Sequence, residues 1–326
     1  MVAKGAEIDG SDNKLGIEER RRLTRRQRDL IASGGAMGST CLYVPGELLV
    51  ARQDEERLRG ILEENGALRG VRFSRSGRDR GDFDGAAGGY GDEPDPIVGE
   101  SLDERLGIVR YSMSDPSRDV VELVRAIQRF SDRDDDGPAP VSLHHVLSGE
   151  PLYMGGPGDE PGLAPEFRVA EAQTVEARLL AVLDTGVALG LQDVHAQLFD
   201  VLTRDSDDAD VLDSDNDKLL DAEAGHGTFI AGLVRRLAPE VGIRMKRVLN
   251  PYGFGTDLSV STGVLAAETP VLNMSLGGYT LDDRPPPILA NVLNQLGREV
   301  VVVAAAGNNA SDRPFWPAAC KQVIAV

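Results

Sequence analysis

The chain has 326 residues, of which 41% are hydrophobic and 27% are charged, and its formal net charge is -18 at pH 7. This length and apolar fraction are sufficient for two ordinary globular domains. The negative charge argues against nucleic acid as the main partner, because binding to phosphates needs a basic face.

No segment reaches the length of about 18 apolar residues that a helix needs to cross a bilayer, so we expect no membrane span. The N-terminus lacks the apolar stretch of a secretory signal, which favours the cytoplasm or a non-standard export route. The two cysteines, Cys41 and Cys320, match no metal or redox spacing. We therefore expect free or buried thiols rather than a disulfide.

Residues 1–41 predict a poorly ordered leader, and residues 42–148 then show a regular alternation of apolar patterns. Strands are predicted at Gly46–Arg52, Val71–Ser74, Gly107–Ser112 and Val141–Leu147, and helices at Asp54–Asn65 and Arg118–Phe130. The Gly-, Asp- and Pro-rich stretch 77–100 predicts a long loop. The order of these elements, βαββαβ, predicts a small α+β ferredoxin-like domain over 42–148.

Residues 149–165 are rich in Pro and Gly and predict a linker. The pattern then changes to apolar strands that alternate with helices. Strands are predicted at Arg178–Leu183, Ile243–Leu249, Pro270–Met274, Val300–Ala305 and Val323–Val326, and helices at His226–Leu237, Asp257–Ala267 and Pro286–Gly297. Strands this apolar predict an α/β domain over 166–326, with a parallel sheet covered by helices on both faces.

Three polar residues stand at the ends of these elements. Asp184 ends an apolar run, His226 opens a helix between two glycines, and Asn308 follows a buried strand. Each motif alone is typical of a turn, a helix cap or a loop. Together, at the edge of a parallel sheet where ligands bind, they predict an acyl-transfer site. An Asp there orients the imidazole, a His transfers the proton, and an Asn stabilises the oxyanion.

With these motifs, the chain from about residue 175 to 326 resembles the subtilisin-like serine proteases (peptidase S8 family). The resemblance implies a serine endopeptidase that acts on polypeptide substrates and requires no cofactor. It also implies that Asp184 is the orienting acid, His226 the general base and then acid, and Asn308 the oxyanion donor. Phe229 stands where the family commonly has a second His, which plays no part in proton transfer.

Further segments resemble the substrate cleft of that family. One edge of the cleft would be formed by Gly253, Phe254 and Gly255, and the opposite edge by Ser275, Leu276 and Gly277. The wall of the pocket for the residue before the scissile bond would be formed by Ala305, Ala306 and Gly307. A peptide held between two such edges gains main-chain hydrogen bonds whatever its side chains are.

Residues 42–148 resemble the inhibitory propeptides of this family, beginning with the segment Tyr43–Val50. The resemblance implies a zymogen in which this domain is an intramolecular inhibitor and a folding template. Its C-terminal tail would occupy the cleft until the linker at 149–165 is cut.

The Gly-Thr-Ser-type segment that carries the nucleophile of the family does not occur before Val326. We therefore expect 166–326 to be roughly the N-terminal two-thirds of a catalytic domain, in a truncated or fragmentary chain that is inactive alone. The alternative is a Ser-less pseudoprotease that binds peptides or acts as a regulatory protein.

An acidic stretch between Asp184 and His226 has the oxygen spacing of a calcium loop. The candidate ligands are Asp213, Asp215, Asp217 and Asp221. Lys218 replaces the turn Gly of such a loop, and Ala224 replaces its bidentate Glu. These two departures favour a solvated acidic loop, and they limit any calcium site to low affinity.

Overall fold

The computed structural model describes residues 41–64, 68, 71, 73–75, 106–113, 119–131, 140–149, 178–190, 195–214, 220–221, 223–308 and 311–326. The predicted leader before residue 41, the predicted loop 77–100 and the linker from residue 150 to 165 lie outside these residues. Their predictions are therefore neither supported nor contradicted by the structure.

The first part of the chain forms an antiparallel sheet with helices on one face. Its elements are β1 (Leu42–Ala51), α1 (Glu55–Glu64), β2 (Phe73–Arg75), β3 (Ile108–Met113), α2 (Val120–Ser131) and β4 (Val141–Ser148). Strand β1 lies between β3 and β4, and β2 pairs with β3. The apolar residues of α2 recur at helical spacing, so Val124 and Ile127 share one buried face and pack against Leu48 of β1.

The second part of the chain is built on a parallel sheet. Its elements are β5 (Arg178–Asp184), β6 (Val187–Ala188), α3 (Ala196–Phe199), β7 (Leu202–Thr203), β8 (Ala209–Asp210), α4 (His226–Leu237), β9 (Val241–Arg247), β10 (Phe254–Thr256), α5 (Asp257–Ala267), β11 (Val271–Met274), α6 (Pro287–Gln295), β12 (Val301–Ala304) and β13 (Val323–Ala325). Six strands pair in parallel in the order β13-β12-β11-β5-β9-β7.

Both faces of the parallel sheet are covered, which explains why its strands are continuous apolar runs. On β5, Ala181 and Leu183 belong to the core shared with α5 and α6, whereas Val182 belongs to the core shared with α4. Successive side chains of a strand point to opposite faces, so both sets must be apolar. The predicted α/β architecture over 166–326, a parallel sheet with helices on both faces, is confirmed.

The observed elements differ from the predicted ones mainly at their ends. Strand β1 begins at Leu42 rather than at the predicted Gly46, because a shift in its pairing with β4 between Tyr43 and Leu48 accommodates Pro45 and Gly46 within one strand. The elements β6, β7, β8, β10 and α3 were not predicted, since two to four residues are too short to show a period.

The two parts of the chain share a sheet and a core. Strand β10, from the second part, pairs antiparallel with the end of β4, with Phe254 opposite Ser148. The antiparallel sheet therefore has five strands in the order β10-β4-β1-β3-β2. An apolar cluster also joins its outer face to α5 and α6: Leu49, Ile108, Leu258 and Ile288.

Both cysteines are free thiols, as predicted. Burial raises the pKa of Cys41 to about 11 and that of Cys320 to about 11, so both are protonated at neutral pH. Within the described ranges, no helix is long and apolar enough to span a membrane.

Candidate active site

Asp184 is fixed at the carboxyl edge of the parallel sheet. It is the last residue of β5, and its side chain is fully buried. The backbone N–H groups of Val248 and Leu249 donate to its carbonyl oxygen at 2.8 and 3.1 Å. Its carboxylate Oδ1 accepts a hydrogen bond from the N–H of Thr185 at 2.7 Å. These bonds hold both the backbone and the carboxylate in one orientation.

His226 is the first residue of α4 and lies beside this carboxylate. The preceding Gly225 has a φ of 88°, a left-handed conformation that favours glycine and turns the chain sharply into the helix. The ring Nδ1 is 2.8 Å from Asp184 Oδ1, and 27% of the His226 side chain is exposed. With Nδ1–H donating to the carboxylate, Nε2 is the nitrogen that can accept a proton.

A second buried carboxylate, Asp210, supports this pair and was missed by the sequence analysis. Its Oδ2 accepts hydrogen bonds from the hydroxyl of Thr185 at 2.9 Å and from the N–H of Gly225 at 2.6 Å. Burial raises the pKa of Asp210, although both of these hydrogen bonds act in the opposite direction. In the sequence Asp210 is one of many acidic residues, and no pattern separates it from its neighbours.

Asn308 lies at the same edge of the sheet as Asp184. It follows β12, which is two strands away from β5, and its side chain is exposed. The structure thus joins Asp184 to His226 by a hydrogen bond, and it places Asn308 at their edge of the sheet with an amide available to solvent.

The two predicted edges of the cleft are occupied by the end of β4. Ser148 and Gly277 exchange two backbone hydrogen bonds, of 2.8 and 2.9 Å. On the other side, the N–H of Gly149 donates to the carbonyl oxygen of Gly253 at 2.8 Å, and β10 continues this pairing. A strand of the chain itself therefore lies between the predicted edges.

Side-chain contacts also form where the end of β4 lies between these two edges. Leu147 is fully buried and belongs to the core of the parallel-sheet part, together with Leu249 and Leu276. The hydroxyl of Ser275 accepts a hydrogen bond from the side-chain amide of Asn273 at 3.0 Å. The region around the cleft is thus apolar on the side that receives Leu147.

The candidate calcium ligands are only partly covered by the structure. Asp213 and Asp221 are described, and Asp221 Oδ2 accepts a hydrogen bond from the N–H of Ser214 at 2.8 Å. Asp215 and Asp217 lie outside the described residues. Within the described ranges, no group of three or more His, Cys, Asp or Glu residues could hold a metal ion. The calcium interpretation stays a prediction.

In this α/β domain a buried aspartate at the end of a parallel strand is hydrogen-bonded to a histidine that opens a helix, which is the arrangement of carboxylate and imidazole found in catalytic triads. Residues 176–326 match the Subtilase family, Peptidase S8. The chain is 32% identical over 161 residues to the thermophilic serine proteinase of Bacillus sp. (strain AK1), and 32% identical over 160 residues to thermitase of Thermoactinomyces vulgaris. Residues 176–326 are therefore similar to the Subtilase family and to two of its serine proteinases.

These similarities cover only part of each protein. Each alignment includes 45% of this chain, with 37% of the thermophilic serine proteinase and 53% of thermitase, so the chain spans about a third to a half of these relatives. Among solved structures, fervidolysin from Fervidobacterium pennivorans, a keratinolytic enzyme related to subtilisin, superposes with a TM-score of 0.43 and 17% identity. That superposition covers 87% of this chain and 43% of fervidolysin.

Proposed function

We propose that this chain carries the acid and base of a serine endopeptidase that cleaves polypeptides. The observation that supports the proposal is the 2.8 Å contact between the buried Asp184 carboxylate and His226 Nδ1. Asp184 holds the imidazole in the tautomer with Nε2 free and stabilises its positive charge. His226 then takes the proton of a serine hydroxyl as the oxygen attacks the scissile carbonyl, and gives that proton to the leaving amine.

The proposed mechanism also needs a donor for the oxyanion and a nucleophile. The side-chain amide of Asn308 donates a hydrogen bond to the oxyanion of the tetrahedral intermediate, which stabilises the transition state more than the substrate. The proposed mechanism also requires a serine whose hydroxyl lies beside His226 Nε2.

We also propose that residues 42–148 are the inhibitory propeptide of this site. The proposal is supported by the position of the end of β4, where Ser148 and Gly149 form backbone hydrogen bonds to Gly277 and Gly253. A peptide substrate would need the same backbone groups, so it would compete with this strand. Cleavage within 149–165 would allow the strand to leave.

The test compares the 326-residue chain with the full-length product of its gene on casein, with and without a serine-directed phosphonate. We expect cleavage by the full-length product only, blocked by the phosphonate.

Asp184→Asn should lower kcat by about 10⁴-fold, because the imidazole loses the partner that fixes its tautomer. Cleavage that survives His226→Ala would contradict the assignment of the base. Phosphonate-sensitive cleavage by the 326-residue chain that survives Ser275→Ala would indicate an unrecognised nucleophile.

A peptide-binding pseudoprotease is the second candidate function. The observation that favours it is that backbone hydrogen bonds, which need no nucleophile, hold Ser148 and Gly149 in the cleft. If the full-length product binds unstructured peptides in the cleft but cleaves none, this second function replaces the first.

A further inference from the structure

Two predicted parts of the cleft emerge side by side from the parallel sheet. Segment 275–277 follows β11 and segment 305–307 follows β12, and these strands are paired up to Met274 and Ala304. The N–H of Ala305 still donates to the carbonyl oxygen of Met274 at 3.1 Å. In parallel sheets, ligands bind in crevices at the carboxyl ends of the strands, so the space between these segments is where a substrate side chain would enter.

The phenyl ring of Phe315 lies against both segments. A Cβ atom built on Gly277 would be 2.2 Å from Phe315 Cε1, and one built on Gly307 would be 3.2 Å from Phe315 Cδ1. The same ring therefore touches the backbone on both sides of the crevice. The ring stands where a Cβ atom on either glycine would have to be placed or packed.

Neighbouring residues hold this ring in place. Tyr279 packs against Phe315 edge to face, with ring centroids 5.3 Å apart and an interplanar angle of 71°. The guanidinium carbon of Arg313 lies 4.9 Å from the centroid of the Tyr279 ring. Arg313 in turn donates hydrogen bonds to Asp283 Oδ1 and to the carbonyl oxygen of Thr280, each at 2.7 Å. These contacts oppose a swing of Phe315 out of the crevice.

We infer that Phe315 is the specificity-determining residue of the proposed protease, and that it restricts the substrate residue before the scissile bond to Gly, Ala or Ser. The inference rests on the proposed function, which assigns 305–307 to the wall of that pocket. Packed interiors have no spare volume for a second aromatic or a leucine side chain beside the ring. The substrate class that we infer is therefore polypeptides with a small residue immediately before the scissile bond.

The first experiment measures kcat/KM of the full-length product on tetrapeptide p-nitroanilides that differ only in a final Ala or Phe. We expect the Ala peptide to be preferred by more than about 10-fold, since pockets of this type discriminate by 10- to 200-fold. Phe315→Gly should shift the ratio towards Phe by at least about 10-fold, and Phe315→Ala should shift it in the same direction. Phe229→Ala, which removes a ring that is 65% exposed, is the matched control and should leave the ratio unchanged. A wild type that prefers Phe, or a ratio that neither Phe315 variant changes, overturns the inference.

The second experiment uses the 326-residue chain and needs no catalysis. Phe315→Gly should leave an apolar cavity, and such cavities bind small aromatic molecules. In NMR spectra, toluene should shift the amide signals of Gly277 and Gly307 in this variant and not in the wild type, and Phe315→Ala replaces the variant if it does not fold. Toluene shifts in the wild type, or none in either variant, overturn the inference. If no peptide is cleaved by any form, the proposed protease function fails, and the toluene experiment alone decides whether Phe315 fills the crevice.

Discussion

The hydroxyl of Thr185 connects the loop after Asp184 with the first turn of the His226 helix. It accepts a hydrogen bond from the N–H of Gly227 at 3.1 Å and donates one to Asp210 at 2.9 Å. Thr185, Asp210 and Gly227 are all buried, so water cannot replace the Thr185 hydroxyl as the hydrogen-bond partner of the other two. The relative position of Asp184 and His226 therefore depends on the hydroxyl of a third residue, Thr185.

We predict that Thr185→Val destabilises the protein by about 1–3 kcal/mol, because it leaves a buried donor and a buried acceptor unsatisfied. It should also broaden or remove the downfield proton signal of the bond between His226 Nδ1 and Asp184. Urea unfolding and proton NMR measure the two effects. The matched control is Thr262→Val, since the Thr262 hydroxyl donates only within its own helix, to the carbonyl of Leu258. Equal losses of stability in the two variants would contradict the prediction.

Two buried residues between the parts of the chain have pKa values shifted in opposite directions. Burial lowers the pKa of His145 from 6.5 to about 3, and His145 Nε2 accepts a hydrogen bond from the N–H of Leu281 at 3.2 Å. Burial raises the pKa of Asp257 from 3.8 to about 6, against the hydrogen bonds it accepts from the N–H groups of Ile288 and Leu289. Each group therefore titrates differently in the folded and unfolded chain.

The two shifts have opposite effects on stability between about pH 4 and pH 6. There the unfolded chain binds a proton at His145 that the folded chain does not bind, so acidification lowers the free energy of unfolding. At Asp257 the folded chain binds the extra proton, so acidification raises it. We predict that His145→Gln becomes more stable relative to the wild type as the pH falls from 6.5, by about 1 kcal/mol per pH unit. Urea unfolding at several pH values measures this difference, and a constant difference would contradict it.

At the scale of elements, the end of β4 is held by both edges of the cleft and by the side chain of Leu147. We predict that Leu147→Ala costs about 2–5 kcal/mol, because it creates a cavity in the shared core. The amide protons of Ser148 and Gly149 should then exchange with solvent at least about 30-fold faster.

Hydrogen exchange measured by NMR tests this prediction directly. Leu237→Ala, which removes the same atoms from a side chain that is 81% exposed, serves as the control and should leave both amides protected. Unchanged protection in Leu147→Ala would show that the backbone bonds to Gly277 and Gly253 hold the strand without its side chain.

At the scale of the whole molecule, the two parts of the chain should unfold together. Strand β10 completes the sheet of the first part, and Leu281 of the second part packs against the core of the first. We predict that Leu48→Ala, a substitution in the core of the first part, lowers the stability measured in the second part. The only tryptophan, Trp316, reports on that part by fluorescence. A Trp316 unfolding transition that Leu48→Ala does not move would show that the two parts are independent.

The sequence by itself determined the fold class and the positions of Asp184 and His226. Parallel strands buried on both faces are apolar runs, so the residue at which such a run ends is visible in the sequence. Asp184 ends one of these runs, and the glycine before His226 marks the start of a helix. Both signals lie within a few consecutive residues, so they can be recognised without knowing which other segments pack against them.

The tertiary structure alone decided what surrounds that pair. The contacts of Asp210 with Thr185, of Phe315 with Gly277, and of β10 with β4 join segments that are far apart in the chain. Such contacts depend on how the sheets and helices pack together, and neither the hydrophobic periodicity nor the composition of the sequence reveals that packing. An acidic residue in an acidic stretch and a phenylalanine in a loop have no local pattern that distinguishes a functional position from a solvated one, and their surroundings arise only when the sheets and helices have packed.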